Sequence, residues 1–243
     1  MSESVDIEAI ILAGGQGTRL YPHTAEIPKP LVTVGDRPII EILIHTLRRR
    51  GIRRLRLAVS HLAHLIEAAL GDGRGLGVEI TYSREPRPLS TIGPLTLMED
   101  LPEHFLVVNG DILTDLDFRR LYEGHRERGV VATVATCRRE NRVDYGVIET
   151  DAQGRLAAFH EKPARTVTVS AGVYVFSREI LRYVPRGERF GFDDLMATLL
   201  ARGEPVATYP IAGYWLDVGR LEDYAVANQE FDRIKALLLS DPG

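Results

Sequence analysis

The residues with the greatest chemical reach lie near the start of the chain. Gly14, Gly15 and Gly17 make a loop that can turn sharply and expose its backbone N–H groups, with Thr18 and Arg19 at the far end. Bare amides of this kind wrap an anion, because no Cβ blocks its approach. Pro28-Lys29-Pro30 follows, a lysine held between two rigid residues and so aimed in one direction. Strand-forming Ile7 and Ala9–Leu12 lead into the loop as an apolar run. Strand, glycine loop, arginine and clamped lysine together read as a site for a nucleoside triphosphate. Taken alone, the loop has a lesser alternative reading as a tight turn without a ligand.

Two commoner glycine-loop chemistries do not fit. A dinucleotide fold needs G-x-G-x-x-G, and counted from Gly15 the last glycine is replaced by Leu20. A P-loop needs a Gly-Lys pair, which the chain lacks. A nicotinamide oxidoreductase is therefore disfavoured.

Leu12-Ala13-Gly14-Gly15-Gln16-Gly17-Thr18-Arg19-Leu20, followed by Pro28-Lys29-Pro30, resembles the fingerprint of the sugar-1-phosphate nucleotidyltransferases. The likeness extends from Ile7 to about Phe231. It implies that a sugar 1-phosphate oxygen attacks the α-phosphorus of an NTP and that pyrophosphate leaves. The nucleophile is already anionic at neutral pH, so the protein's task is to neutralise repulsion, align the reactants and stabilise the transferring phosphoryl group.

The resemblance assigns roles residue by residue. Arg19, Lys29 and Lys162 are the catalytic cations. Leu12, Ala13, Gly14, Gly15, Gly17, Thr18, Glu85, Ser90, Thr91 and Gly93 bind the nucleotide. Asn109, Tyr145, Gly146, Glu161, Ser170 and Gly172 bind the sugar phosphate. Asp111, in Gly110-Asp111, and Asp217, in Trp215-Leu216-Asp217-Val218-Gly219, hold Mg²⁺, a cation that prefers carboxylate oxygens. Either aspartate alone would serve equally well as a helix cap, Asp217 ahead of Leu221 in particular. Glu161-Lys162-Pro163 without the other motifs would be a charged turn.

Two departures bear on specificity. Ser170 stands where the family usually has asparagine, which leaves the sugar open. Pro88-Leu89-Ser90-Thr91-Ile92-Gly93-Pro94-Leu95 differs from the guanylyltransferase pattern P-L-G-T-A-G-P-L at Ser90 and Ile92, which leaves the base open. The framework, with Arg189–Asp194, is most similar to the mannose-1-phosphate guanylyltransferase branch. GTP with a mannose- or heptose-like 1-phosphate is the leading pair, and dTTP, UTP, CTP and ATP are alternatives. A non-catalytic nucleotide-sugar regulator is the rival class; such paralogues usually lose an arginine, lysine or metal aspartate that is present here.

These residues need a scaffold. Helical spacing predicts helices over Pro38–Arg50 and Ala63–Leu70, with strands at Leu55–Val59, Val78–Tyr82 and Phe105–Val108. Glu85–Leu95 reads as a proline-rich turn running into a helix start at Thr91–Gly93. Strands then crowd together at Val130–Thr136, Tyr145–Glu149, Leu156–His160 and Val169–Phe176. Helices return at Phe192–Leu200 and Leu221–Leu238, around a strand at Pro205–Tyr209. The expectation is an α/β, Rossmann-like doubly wound mixed sheet (α/β/α) with an inserted β-rich sugar-binding lobe. It forms a single domain over 1–243, with a nucleotide half at about 7–129, a sugar and metal half at about 130–220, and a C-terminal helix at 221–243. The family's frequent C-terminal β-helix is not expected.

Composition sets the outer bounds. A chain of 243 residues, 44% hydrophobic and 26% charged, suits a soluble globular protein. A net charge of −4 argues against a nucleic-acid partner. The lone Cys137 excludes an intrachain disulfide and fits a reducing, cytoplasmic setting, as a buried strand-end residue. The acidic N-terminus is unlike a signal peptide, and no apolar run approaches the roughly 20 residues of a membrane span. The arginine clusters Arg48-Arg49-Arg50 and Arg53, Arg54, Arg56 read as solvated helix and strand ends, with an anion or subunit contact as the alternative, and His61 and His64 as helix-start residues without a third metal ligand. A homo-oligomer is compatible with the sequence.

Overall fold

The computed structural model describes residues 6–240; the N-terminal acids before Asp6 and the last three residues of the expected C-terminal helix lie outside the described residues. In chain order the strands are β1 (Glu8–Leu12), β2 (Thr33–Val34), β3 (Arg37–Pro38), β4 (Arg54–Val59), β5 (Glu79–Arg84), β6 (His104–Asn109), β7 (Ile112–Thr114), β8 (Ala132–Arg142), β9 (Val147–Thr150), β10 (Leu156–His160), β11 (Ala164–Ser177), β12 (Val206–Pro210) and β13 (Trp215–Asp217). The α-helices are α1 (Ile39–Arg49), α2 (Ala63–Leu70), α3 (Phe118–Arg128), α4 (Phe192–Ala201), α5 (Leu221–Gln229) and the short α6 (Phe231–Ile234).

The central sheet has seven strands in the order β12-β8-β11-β6-β1-β4-β5. Strands β6, β1, β4 and β5 run parallel, and β11 is antiparallel to both neighbours, so the sheet is mixed as expected. Alternation along β1 shows why both faces are buried. Ala9 and Ile11 enter a core with α1, α2 and α3, while Ile10 enters a second core with Leu195 and Leu199 of α4. A third apolar cluster joins Leu20, Val32 and Ile39 to Leu113, Leu216, Ala227 and Ile234. It seats the short β7–β13 pair against α1 and the C-terminal helices.

The expected β-rich lobe is divided differently. The inner half of β8 and the end of β11 belong to the central sheet, and only their outer halves run into solvent as a two-stranded ribbon. β9 and β10 pair with each other as a separate hairpin. Cys137 is buried, but it sits inside β8 where the strand leaves the core rather than at a strand end. The helix expected over Leu221–Leu238 breaks at Glu230, and its last part is a five-residue π turn at Lys235–Leu239. The helix start expected at Thr91–Gly93 is instead a 3₁₀ stretch beginning at Gly93.

Helix α3 is an addition to the elements that the apolar pattern predicts. Its Arg- and Glu-rich surface masks the signal, but Phe118, Leu121, Tyr122 and His125 fall at helical spacing and are all buried. Asp117 caps it by accepting the Arg120 N–H at 3.1 Å.

Candidate active site

A cleft of about 510 Å³ opens at the carboxyl ends of β1, β4 and β6. Its floor is the glycine loop. Gly17 sits at φ +65°, and a Cβ there would lie 2.9 Å from the Thr24 methyl and 3.0 Å from Cβ of Lys29. The Thr24 hydroxyl donates to the Gly17 carbonyl at 2.9 Å and pins the loop. Gly14, Gly15, Gly17 and Thr18 line the cleft with Leu12 and Arg19, whereas Ala13 is buried and continues the ladder by donating to Ala58 O. Arg19 is exposed and makes no hydrogen bond or ion pair among the described residues.

The far wall is the loop after β5. Glu85 accepts the Leu89 N–H at 2.8 Å on one carboxylate oxygen, and its other oxygen approaches Gly14 so closely that a Cβ there would sit 2.4 Å away. Burial raises the Glu85 pKa, which the Leu89 hydrogen bond partly offsets. Ser90 lines the cleft at φ +67°, a region where side chains other than glycine are uncommon. Thr91 also lines it, while its hydroxyl accepts from Phe192 N. Gly93 is absent from the lining: it is buried, and a Cβ there would strike the Glu188 carbonyl at 2.5 Å. Ile92 is fully buried in the second core, so of the two departures only Ser90 faces the cleft.

Asp111 and Asp217, far apart in sequence, meet through the antiparallel β7–β13 pair. Asp217 is opposite Ile112, and Val218 N–H donates to Asp111 O at 3.0 Å. Lys29 donates its ammonium to Asp111 Oδ2. The other oxygen of Asp111, Oδ1, and Oδ1 of Asp217 are buried without a hydrogen-bond partner among the described residues, as is Oδ1 of Asn109. Burial and the neighbouring Asp111 carboxylate raise the Asp217 pKa to about 6, against the pull of Lys29 and Arg19. Two crowded carboxylates with orphaned oxygens are the donor set a hard divalent cation takes. Neither aspartate caps a helix: α5 begins after Arg220, with no side-chain cap.

The expected sugar-phosphate residues are split. Asn109 lines the cleft, and its amide lies 2.7 Å from where a Cβ on Gly172 would be. Gly172, at φ +69°, forms the irregularity in β11 between Ser170 and Tyr174 that admits Asn109. The Ser170 hydroxyl donates to the Tyr174 hydroxyl at 3.2 Å. Tyr145 and Gly146, just before β9, and Glu161 and Lys162, just after β10, are gathered at the open end of the hairpin and do not line the cleft. Gly146 packs against the Phe159 ring and Glu161, Tyr145 is 78% exposed, and Lys162 sits at φ +43°.

The sequence profile of the family described as nucleotidyl transferase matches residues 8–233. The chain belongs to the nucleotidyl transferase family. Among similar proteins is a UTP–glucose-1-phosphate uridylyltransferase of Synechocystis sp., 34% identical over 238 residues, covering 90% of this chain and 61% of that protein. A mannose-1-phosphate guanylyltransferase catalytic subunit beta of Drosophila pseudoobscura pseudoobscura is 34% identical over 223 residues, covering 89% of this chain and 60% of that protein. The chain thus spans about three-fifths of the length of these relatives. The crystal structure of HddC from Yersinia pseudotuberculosis superposes with a TM-score of 0.73 at 26% identity, covering 93% of this chain and 99% of that one.

In this member of the nucleotidyl transferase family, residues beyond those assigned a role join the cleft, four of them from within the quoted motifs. His61 and Ala58, near the carboxyl end of β4, line it with Gln16, Pro88, Pro94 and Gly219. Strand ends are where ligands gather in such sheets, so the position of His61 just after β4 was the available signal. The helix itself starts at Ala63, and no group of three metal-ligating side chains occurs among the described residues. Nor is any helix among them long and apolar enough to cross a membrane.

Proposed function

We propose that this chain transfers a nucleotidyl group from an NTP, GTP by preference, to a sugar 1-phosphate. The observation that carries this reading is the convergence of Lys29, Asp111 and Asp217 beside the glycine loop. The sugar phosphate oxygen forms the new bond to the α-phosphorus while the bond from that phosphorus to the bridging oxygen breaks, and pyrophosphate departs with the electron pair. The loop amides and Arg19 take charge on the β- and γ-phosphates, and Lys29 faces the transferring group. Mg²⁺, held by Asp111 and Asp217, would neutralise phosphate charge when bound. Lys162 holds the sugar phosphate, and Glu161 accepts hydrogen bonds from the sugar hydroxyls.

Support for guanine comes from Glu85. Its carboxylate oxygen at the Gly14 end of the cleft is an acceptor, and guanine offers two adjacent N–H donors on its pairing edge where uracil and thymine offer one. A mannose- or heptose-like 1-phosphate is the favoured acceptor, by likeness to the guanylyltransferases.

Pyrophosphate release, measured with Mg²⁺ across GTP, UTP, dTTP, CTP and ATP against mannose, glucose and heptose 1-phosphates, tests both parts. Release that requires both substrates and is strongest with GTP supports the reading. A different base would keep the reaction and remove Glu85 as a guanine selector. No release from a protein that still binds a nucleotide sugar would assign it a regulatory role instead.

A further inference from the structure

Lys29 is the most constrained cation of the cleft. It is 9% exposed, its stem packs against Gly17, and prolines fix the backbone on both sides. A buried ammonium needs a partner, and among the described residues Asp111 is the only one it has. That contact takes one oxygen of the carboxylate pair and leaves the Oδ1 atoms of Asp111 and Asp217 orphaned. The ammonium therefore occupies an aspartate on which a divalent cation would draw. Because the stem is held, a released ammonium can move only at its end, into the cleft lined by Gly15 and Arg19.

We infer that Lys29 is a placeholder that couples cation binding to nucleotide binding. Held on Asp111 in the empty protein, it is freed for the triphosphate when a divalent cation takes over the carboxylates. The inference rests on the proposed nucleotidyl transfer. Cation and nucleotide then favour each other's binding, and linkage makes the gain equal in both directions. A coupling of about tenfold is ordinary for such a contact.

The test measures GTP and UTP affinity in EDTA, without turnover, for the wild type, Asp111→Asn and Asp217→Asn. Both variants remove one negative charge from the same pair, but only Asp111→Asn weakens the hold on Lys29. Asp111→Asn should bind both nucleotides about tenfold more tightly than Asp217→Asn, and adding Lys29→Gln should cancel that gain. Equal affinities in the two aspartate variants would overturn the coupling, as would a gain that survives Lys29→Gln. A second arm needs neither aspartate variant: Mn²⁺ affinity without nucleotide, read by electron paramagnetic resonance, should rise about tenfold in Lys29→Met. No rise would also overturn it. If neither nucleotide binds any form of the protein, with or without Mg²⁺, the functional reading falls and the coupling falls with it.

Discussion

The two halves of the candidate site are built to different standards. On the nucleotide side, Leu12, Asn109 and Asp111 sit at or just past the ends of β1 and β6, and Gly110 N–H donates to Leu12 O at 3.0 Å. Lys29 is buried, and the β7–β13 pair fixes Asp217. On the side proposed for the sugar, Tyr145, Glu161 and Lys162 flank the open end of a two-stranded hairpin whose Ile148, Leu156 and Phe159 are 59%, 65% and 57% exposed. Groups that stabilise developing charge gain from being held in place before the substrate arrives. A hairpin with its apolar side chains in solvent gains its packing only when something covers it. The difference teaches that the cleft end is fixed by the sheet while the hairpin end is loosely packed; under the proposed reaction these would be the phosphoryl-transfer end and the sugar end.

Hydrogen exchange is the most direct way to break this comparison. Amides of β9 and β10 should exchange through local opening, and those of β1 and β6 only through global unfolding. Protection should therefore differ by about 10³-fold or more in the ligand-free protein. Comparable protection would show that the hairpin is as preorganised as the sheet. Next in size, Asp111→Asn and Asp217→Asn should each lower kcat by about 10²–10³-fold or more in a steady-state assay with Mg²⁺, with circular dichroism unchanged. Near-normal turnover in either would remove that carboxylate from the charge-stabilising set.

Lys162→Ala sharpens the contrast from the other side. Losing a charged contact to the sugar phosphate should raise its KM by about 10–100-fold, while nucleotide affinity measured by calorimetry stays within about twofold. A parallel loss of nucleotide affinity would mean that the halves are already joined in the free protein.

The cost of preorganisation should also be visible in stability. Because the folded state holds the Asp217 proton more tightly than the unfolded chain, whose carboxylate titrates near 4, raising the pH from about 4 to about 6 favours unfolding of the metal-free protein. Asp217→Asn should remove that decline and be more stable by about 1–3 kcal/mol above pH 6, with the advantage fading toward pH 4. His125 works in the opposite direction in the same range. Buried against Thr133 and His104, its pKa is lowered to about 4, so its contribution is intact above pH 6.5 and is lost as the pH falls. Urea midpoints for the variant and the wild type, compared at each pH, cancel the His125 contribution and isolate that of Asp217.

Legibility in the sequence followed the same divide. The glycine loop, Lys29 and the strand ends could be read because local spacing encodes them, and the order of apolar runs gave a mixed α/β sheet. The meeting of Asp111 with Asp217 could be named only by resemblance, since the β7–β13 pairing that joins them is three residues long. Helix α3 was hidden by charge on its outer face, and the ribbon was mistaken for a separate lobe because β8 and β11 change from buried to exposed partway along. Ile92 looked like a base-reading residue from its place beside Ser90. It is a core residue, because the chain turns between the two and sends them to opposite sides of the loop wall.

That turn sets the smallest expected effect. Ser90 holds φ +67° without a hydrogen bond among the described residues to compensate, and its hydroxyl lies 3.3 Å from where a Cβ on Gly191 would be. Ser90→Gly relieves the left-handed strain but adds freedom to the unfolded chain, so the net gain should be about 0.5–1 kcal/mol. In a domain of this size that is a rise in Tm of about 1–4 °C. If the loop is as preorganised as the rest of the nucleotide side, the ratio of kcat/KM for GTP over UTP should change by less than about threefold, because glycine keeps the same backbone path. A fall in Tm would show that the Ser90 side chain holds the loop. A large change in the GTP to UTP ratio with Tm raised would place its hydroxyl on the base and make Ser90, beside Glu85, the residue that tunes which nucleotide the cleft accepts.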